Sequence, residues 1–578
     1  MLATSRAALG VEGERILPVP PLPDEDAATL FADRARAGKP DFDLAREPVG
    51  AVAEICRRLD GMPLAIELAA ARMRAMSSLD VARRLDRLRL LSGGTRGGAA
   101  RQQSLAATID WSYRLLSEAE QSLFARLSIF AGGFDLDAAH GICGQEGATE
   151  DDTLELLAGL VDKSMVVVRS GTDRSRYGVL ETLRAYGRDH LRDNGVEEEF
   201  ATRHAEYFIE LLERGTAAMY GPDERAWVER MAPDAGTLYT APDYDNVRAA
   251  FERAIAVQDG ALALRLVTSL TDLVQNRVGY HSIEWMLRAL EIADPDHPLY
   301  PGAAGAAARA AWVLGEFDHA RSLAELAGGR VPLPGISYLG YPADVLADVA
   351  LLNGDAAAHF AHYDAEILTA RREADPVRLV FVLYNLSIAH TVGHESAASL
   401  ADAQEAMHVA DRIANPSIRA MARCSLGRVL KKSDPDRALA LFDEAHRLAA
   451  PVQNNWLTGI AVTEAATVRA MHGDPATAAR MYLDVLEHWS HAGPGTGCQH
   501  WLTLRSVTQF LANMGAAEDA LALNHLLVDA GRPSPLGAER HAVLVDELGD
   551  ELVVEEFDAG DIGAAAVARA RTGLRRLV

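Results

Sequence analysis

The spacing of apolar residues makes this chain helical almost from end to end. Val52, Ile55, Cys56 and Leu59 fall at i, i+3, i+4 and i+7, which is one face of a helix over 49–59. Ahead of it, Asp24 and Asp26 stand where an N-cap and first-turn acids belong, and Leu30 and Phe31 open an apolar stripe. Residues 59–74 then read LDGMPLAIELAAARMR. Gly61 lets the backbone bend, and Pro63 fits the first helical turn, where its fixed φ and missing N–H cost nothing. On their own these residues predict a tightly started, buried helix. A third amphipathic run at 79–91 completes a helical domain over 24–91, and the Gly-rich 92–101 reads as a flexible linker.

The pattern changes over 102–195. Helices are expected at 105–115, 117–130, 136–143 and 153–163, with Ser117 and Glu120 as a capping box on the second. The β-branched MVVVR at 165–169 predicts a strand, SGTDRS a turn, and 177–180 the returning strand, before a last helix at 181–191. Several helices followed by a small hairpin is the outline of a winged helix-turn-helix.

Residues 196–300 read as connecting helices and 301–578 as repeated helix pairs. Turn signals at Gly315, Gly354, Gly393, Ser433, Gly473 and Gly515 are separated by 39, 39, 40, 40 and 42 residues. Five positions after each lie Ala320, His359, Ala398, Ala438, Ala478 and Ala520, and a small residue there lets two helices approach closely. The period predicts a superhelical array of α-hairpins.

The beginning is different. LATSR reads as the end of a buried strand, and prolines 18, 20, 21 and 23 make the following stretch a connector. A strand with no partner before it has no sheet to join, so residues 1–23 are expected to be the tail of a domain.

Composition narrows the function classes. A chain of 578 residues implies roughly three to five domains. No apolar run approaches the ~18 residues of a membrane span, and no apolar region follows Arg6 as a signal peptide would require, so a cytoplasmic protein without membrane contact is expected. The four cysteines lie far apart with no CxxC. A net charge of −25 argues against a chain that binds nucleic acid along its whole length, though not against one small DNA-reading module. Lysine occurs only at 39, 163, 431 and 432.

In this order the segments resemble STAND-type signalling ATPases with an NB-ARC module, in particular bacterial regulators of the LuxR-like and SARP-like group. LATSR with LGVEGERILPVPPLP resembles the end of the nucleotide-binding core, and LDGMPLAIELAAARMR the GLPLA segment of the helical lid. RQQSLAATIDWSYRLLSEAEQSLFARLSIFAGGFDLDAAHGICG resembles the opening of the family's winged helix, and YGVLETLRAYGRDHL its close. The implied fold is mostly α: a helical lid domain, a winged helix with a small β-hairpin, then a tetratricopeptide-like superhelix in the sensor position. The resemblance also implies that Arg6 is the sensor arginine reaching toward the γ-phosphate and that Gly61 and Pro63 line the adenine. The bland readings are a solvated turn residue and a helix starter.

Two departures bear on activity. A phosphate grip needs GxxxxGK[ST], and none of the four lysines sits in that setting. No strand ending in paired carboxylates precedes LATSR either. The expectation is a non-enzyme with vestigial nucleotide contacts and no cofactor, binding ATP or ADP only if the core is supplied. The second departure is at Val179-Leu180-Glu181, where many relatives place a Met-His-Asp turn, so no His–phosphate contact carries over. Over 101–195 there are 10 Lys/Arg against 15 Asp/Glu, which predicts no direct DNA binding by this domain. His359 with His362, His390 with His394 near Glu395, and His488 with His491 have helical spacing but no third ligand, so no metal site is expected.

The leading reading is a regulatory signal-transduction protein that senses a protein or small-molecule inducer on the inner helices of its array, at about 310–530. The alternatives are a passive protein-binding scaffold left by a gene remnant, or a full ATPase regulator with a mis-called start.

Overall fold

The computed structural model describes residues 21–39, 42–48, 50–59, 61–71, 73, 76–84, 109–110, 112–169, 175–231, 243–278, 283–392, 396–491, 498–548 and 562–578. The expected strand at LATSR, Arg6 and the 92–101 linker lie outside them. The chain divides into two units, residues 1–208 with 242–250, and residues 209–241 with 251–578.

The first unit opens with four helices, α1 (Asp24–Gly38), α2 (Ala51–Arg58), α3 (Pro63–Ala71) and α4 (Ser78–Arg84). Phe31, Ile55 and Ile66 are fully buried at their centre. Three short helices carry little stability alone, and this shared core is what holds them.

The winged helix follows, with α5 (Glu118–Leu127), α6 (Leu136–Cys143), α7 (Glu150–Asp162), β1 (Val167–Arg169), β2 (Arg176–Gly178) and α8 (Glu181–Asp193). Ser117 and Glu120 form the expected capping box. The α5 helix stops at Leu127 rather than at Phe130, because the buried Ser128 turns its hydroxyl onto the Ala125 carbonyl. β1 and β2 pair antiparallel with Val168 opposite Tyr177. Phe134 exchanges both backbone hydrogen bonds with Tyr177, at 2.9 and 2.7 Å, and adds a one-residue third strand that spacing alone does not reveal. The returning strand starts one residue and ends two residues earlier than expected, and Leu180 becomes the N-cap of α8.

Helices α9 (Glu197–Ala218), α10 (Glu224–Met231), α11 (Tyr244–Ala256) and α12 (Gly260–Leu273) lead to the array. One π-helical turn, Val274–Val278, follows α12, and then α13 (Ile283–Ile292). The array of the second unit is an α-hairpin superhelix. Its pairs are α14 (Tyr300–Leu314) with α15 (Phe317–Glu325), α16 (Pro342–Leu352) with α17 (Ala356–Arg372), and α18 (Pro376–Val392) with α19 (Ser396–Ile413). Then come α20 (Pro416–Leu430) with α21 (Pro435–Ala449), α22 (Asn455–Met471) with α23 (Pro475–His491), and α24 (Cys498–Asn513) with α25 (Ala517–Asp529). Two helices end it, α26 (Ala538–Leu548) and α27 (Ile562–Arg575).

The pairs turn where the period places them. Gly315, Gly354, Gly473 and Gly515 all adopt positive φ, which lets the first helix of a pair close and the second start two residues after the glycine. The small residue is the fourth of each second helix: Ala320, Ala438, Ala478 and Ala520 are completely buried. In the third pair that place belongs to Ser399, 1 % exposed, and not to Ala398, which is only partly buried. Counting from Gly393 misses by one because α19 starts at Ser396, one residue later than the other registers would have it. In the second pair the small residue is replaced by a buried histidine, His359.

Candidate functional site

Two places merit attention, the GMP turn and the inner side of the array. At the first, Gly61 has φ +63° and is buried. A Cβ there would collide with the carbonyl oxygen of Leu22, whose own N–H donates to the Gly61 carbonyl at 3.0 Å. Pro63 begins α3 and is exposed. Each residue thus has a local structural role. Gly61 lets the end of the connector dock against the turn, and Pro63 starts the helix. Arg6 falls outside the described residues.

The expected histidine pairs turn to neighbours within the array. His362 Nε2 meets Asp344 at 2.7 Å, His390 Nδ1 meets Asp402 at 2.9 Å, and His488 Nε2 donates to the Asn455 carbonyl at 2.7 Å. His394 and Glu395 are outside the described residues. Among the described residues, no three His, Cys, Asp or Glu side chains converge as metal ligands.

The inner side of the array holds a cavity of about 370 Å³. Its walls come from the first helices of all six pairs, together with Gln275 and Asn276 of the π-helical turn and Leu339. The second helices contribute one residue, His359. Much of the wall is apolar and aromatic, with Trp312, Leu351, Phe381, Tyr384, Ile388 and Trp456 prominent.

Set into that wall are two ionic groups. On α20 and α22, Arg428 Nε donates to Glu464 at 2.7 Å and Lys431 Nζ to its other oxygen at 3.2 Å, while Arg428 Nη1 also donates to the Tyr384 hydroxyl at 2.8 Å. Burial pushes the Glu464 carboxyl up, but the two cations outweigh it and hold it below its usual range. On α14 and α16, Arg309 Nη1 donates to Asp348 at 2.6 Å, and the Tyr363 hydroxyl donates to the second oxygen at 3.0 Å.

Four buried polar atoms of wall residues have no hydrogen-bond partner: Gln275 Oε1, Arg309 Nε, Trp312 Nε1 and His359 Nε2. His359 Nδ1 lies 3.2 Å from the Ala347 carbonyl. A carbonyl can only accept, so Nδ1 carries the proton. Burial lowers the pKa of the ring and keeps it neutral, leaving Nε2 as a bare acceptor. An unmet buried donor or acceptor costs about 1–3 kcal/mol, and such atoms also occur away from this wall, as at His500. Composition and period could not single out this site, since it draws residues from nine places in the chain. One signal was legible: His359 was the one departure from alanine in the repeat register.

The winged helix offers a contrasting surface. Asp151, Asp152, Glu155 and Asp162 of α7 are exposed, and Lys163 at its C-terminal end pairs with the buried Glu120.

Comparison with known proteins supports the winged-helix outline. Residues 116–192 match the family model of the winged helix-turn-helix domain. Over 296 residues, half of this chain, the sequence is 42% identical to a Mycobacterium tuberculosis (H37Rv) protein named as a candidate HTH-type transcriptional regulator, covering 32% of that protein. It is also 42% identical over 214 residues to an uncharacterised protein of the same organism, covering 36% of this chain and 53% of the relative. The chain thus spans about a third to a half of the length of these relatives. A Pyrococcus horikoshii STAND signal-transduction ATPase with a tetratricopeptide-repeat sensor aligns over 98% of this chain and 74% of its own, at 16% identity and a TM-score of 0.45. No helix among the described residues is long and apolar enough to cross a membrane.

Proposed function

We propose that this chain is the signal-receiving part of a transcriptional regulator, in which the helical array binds an inducer and the winged helix passes the bound state on. The observation that carries this reading is the cavity on the first helices of the pairs, with its aromatic wall and two ionic groups. Support for a transcriptional setting comes from the winged-helix match and from the relative named as a regulator. The mechanism is a two-state element biased by differential binding, with no covalent chemistry.

The proposal extends to nucleotide: with no GxxxxGK[ST] in the sequence, the chain does not hydrolyse ATP. Calorimetry with ATP and Mg²⁺ checks this, and tight, Mg²⁺-dependent heat would refute it.

Filling the cavity tests the receiving role. Ile388 lines it and is only partly buried, so Ile388→Trp places bulk in the cavity without opening a core. Transcript profiles of the wild-type strain, a deletion strain and an I388W strain are compared. The filled cavity is expected to lock one state, giving a profile that no longer responds to the conditions that change the wild type. Profiles of I388W and wild type that respond identically would refute the reading.

A further inference from the structure

We propose that the cavity of the array is built for a small amphipathic molecule with an aromatic or branched apolar body and a single negative charge, the charge being received by Lys431 and Arg428. This rests on the reading of the array as the receiver, and it goes further by naming the chemical class of what is received.

Size comes first. A space of about 370 Å³ lies near the lower end of ligand pockets, which run from roughly 300 to 1,000 Å³. It has room for one compact molecule. The apolar body follows from the wall, where Trp312, Phe381, Tyr384 and Trp456 give flat surfaces and Leu351 and Ile388 give branched ones.

Charge fixes the next property. The wall carries three cations, Arg309, Arg428 and Lys431, and two carboxylates, Asp348 and Glu464. Arg309 is matched by Asp348. Arg428 and Lys431 share the single carboxylate of Glu464. His359 is neutral, so one positive charge is left over, in low-dielectric surroundings where a monoanion is attracted far more than in water. Lys431 is the more open of the two cations, with a quarter of its side chain exposed, and so is the better placed to turn toward an incoming anion.

Polar recognition comes last. Some buried polar side chains elsewhere in the same unit are closely paired. Arg378 is held by Asp344 and Glu366, and Glu224 by Arg277 and Ser417. The wall of the cavity includes unmet atoms, as does His500 elsewhere in the unit. Its unmet atoms are two donors, Arg309 Nε and Trp312 Nε1, and two acceptors, Gln275 Oε1 and His359 Nε2. Three of these residues stand out in the sequence pattern or the backbone. His359 replaces the small residue found at its place in the other pairs, Gln275 sits in a π-helical turn, and Arg309 is a buried cation on an alanine-rich helix.

The test uses two probes of one shape, 8-anilinonaphthalene-1-sulfonate, a monoanion, and N-phenyl-1-naphthylamine, its uncharged counterpart. Each is titrated into the purified full chain by fluorescence, with stoichiometry from calorimetry. The anion is expected to bind one per chain and at least tenfold more tightly than the neutral probe. Lys431→Met should remove about tenfold from the anion and leave the neutral probe unchanged, whereas Lys432→Met, at the exposed neighbouring position, should change neither. Ile388→Trp and, at the exposed rim, Leu352→Trp should weaken both probes, with thermal melts confirming that the variants fold. Equal binding of the two probes, or anion binding indifferent to K431M, overturns the charge assignment and leaves the receiving role standing. Anion binding indifferent to both tryptophan variants overturns the cavity as the site. Failure of the receiving role itself is read separately, from the I388W transcript profile.

Discussion

A buried histidine gives the array one acid-sensitive point. His500, on α24, is 6 % exposed and neither ring nitrogen has a hydrogen-bond partner. Burial, with a smaller push from the Arg571 charge, lowers its pKa to about 4 from an ordinary 6.5. Arg571 in turn pairs with Glu487. In the unfolded chain the ring takes up its proton near pH 6.5, whereas the folded chain resists until about pH 4. The unfolded state therefore binds more protons across that window. Its contribution is fully present above pH 6.5 and is lost as the pH falls toward 4, a total of at most about 3 kcal/mol. His500→Leu removes both the titration and two unmet polar atoms. Urea unfolding followed by tryptophan fluorescence should find the variant as stable as wild type or slightly more so at pH 7.5, and clearly more stable at pH 5. A variant that loses as much stability as wild type between those two pH values would rule this histidine out.

Elements were legible in the sequence to the degree that their causes are local. The Ser117–Glu120 box, the α6 helix and the Gly-Asp turns follow from neighbouring residues, and each was visible in the spacing. The one-residue strand at Phe134 was not, because its partner Tyr177 lies 43 positions away and a lone bridge leaves no alternation to read. The cavity escaped for the same reason: each wall residue looks like ordinary helix surface until six pairs bring them together. The buried tie behind it was also hidden. In the π-helical turn, Arg277 donates to Glu224, to the Val452 carbonyl at 3.1 Å and to the Asp272 carbonyl at 3.2 Å. Glu224 also accepts the Ser417 N–H at 2.9 Å, which fastens the start of α10 to α20. Burial raises the Glu224 carboxyl, with Arg277 opposing it, so the ion pair depends on its partner being there. Arg277→Met strands a buried carboxylate and should cost about 3–5 kcal/mol. The double variant Arg277→Met with Glu224→Leu should recover most of that loss in the same urea titration. A double variant no more stable than the single one would mean that the tie matters through its shape rather than its charge.

At the scale of the whole molecule, the question is whether a winged helix must read DNA. A reading helix lies in the major groove and offers Arg, Lys, Asn or Gln to base edges. The α7 sequence EDDTLELLAGLVD contains none of the four, and its exposed positions include Asp151, Asp152, Glu155 and Asp162. The lysine that follows it is committed to Glu120, whose carboxylate also closes the α5 capping box. Such a surface meets phosphate with repulsion, and at physiological salt the Debye length of about 8 Å leaves that repulsion at contact distance. We therefore expect this domain to act inside the protein, as a packing and relay element, with DNA read by some other part of the regulatory apparatus. A gel shift with the purified chain at about 150 mM salt should show no sequence-specific complex. A variant carrying Asp151→Lys, Glu155→Lys and Asp162→Lys should gain weak binding that is indifferent to sequence and fades as salt rises, because its only new asset is charge. A specific complex formed by the wild-type chain at that salt would return the winged helix to the role its outline suggests.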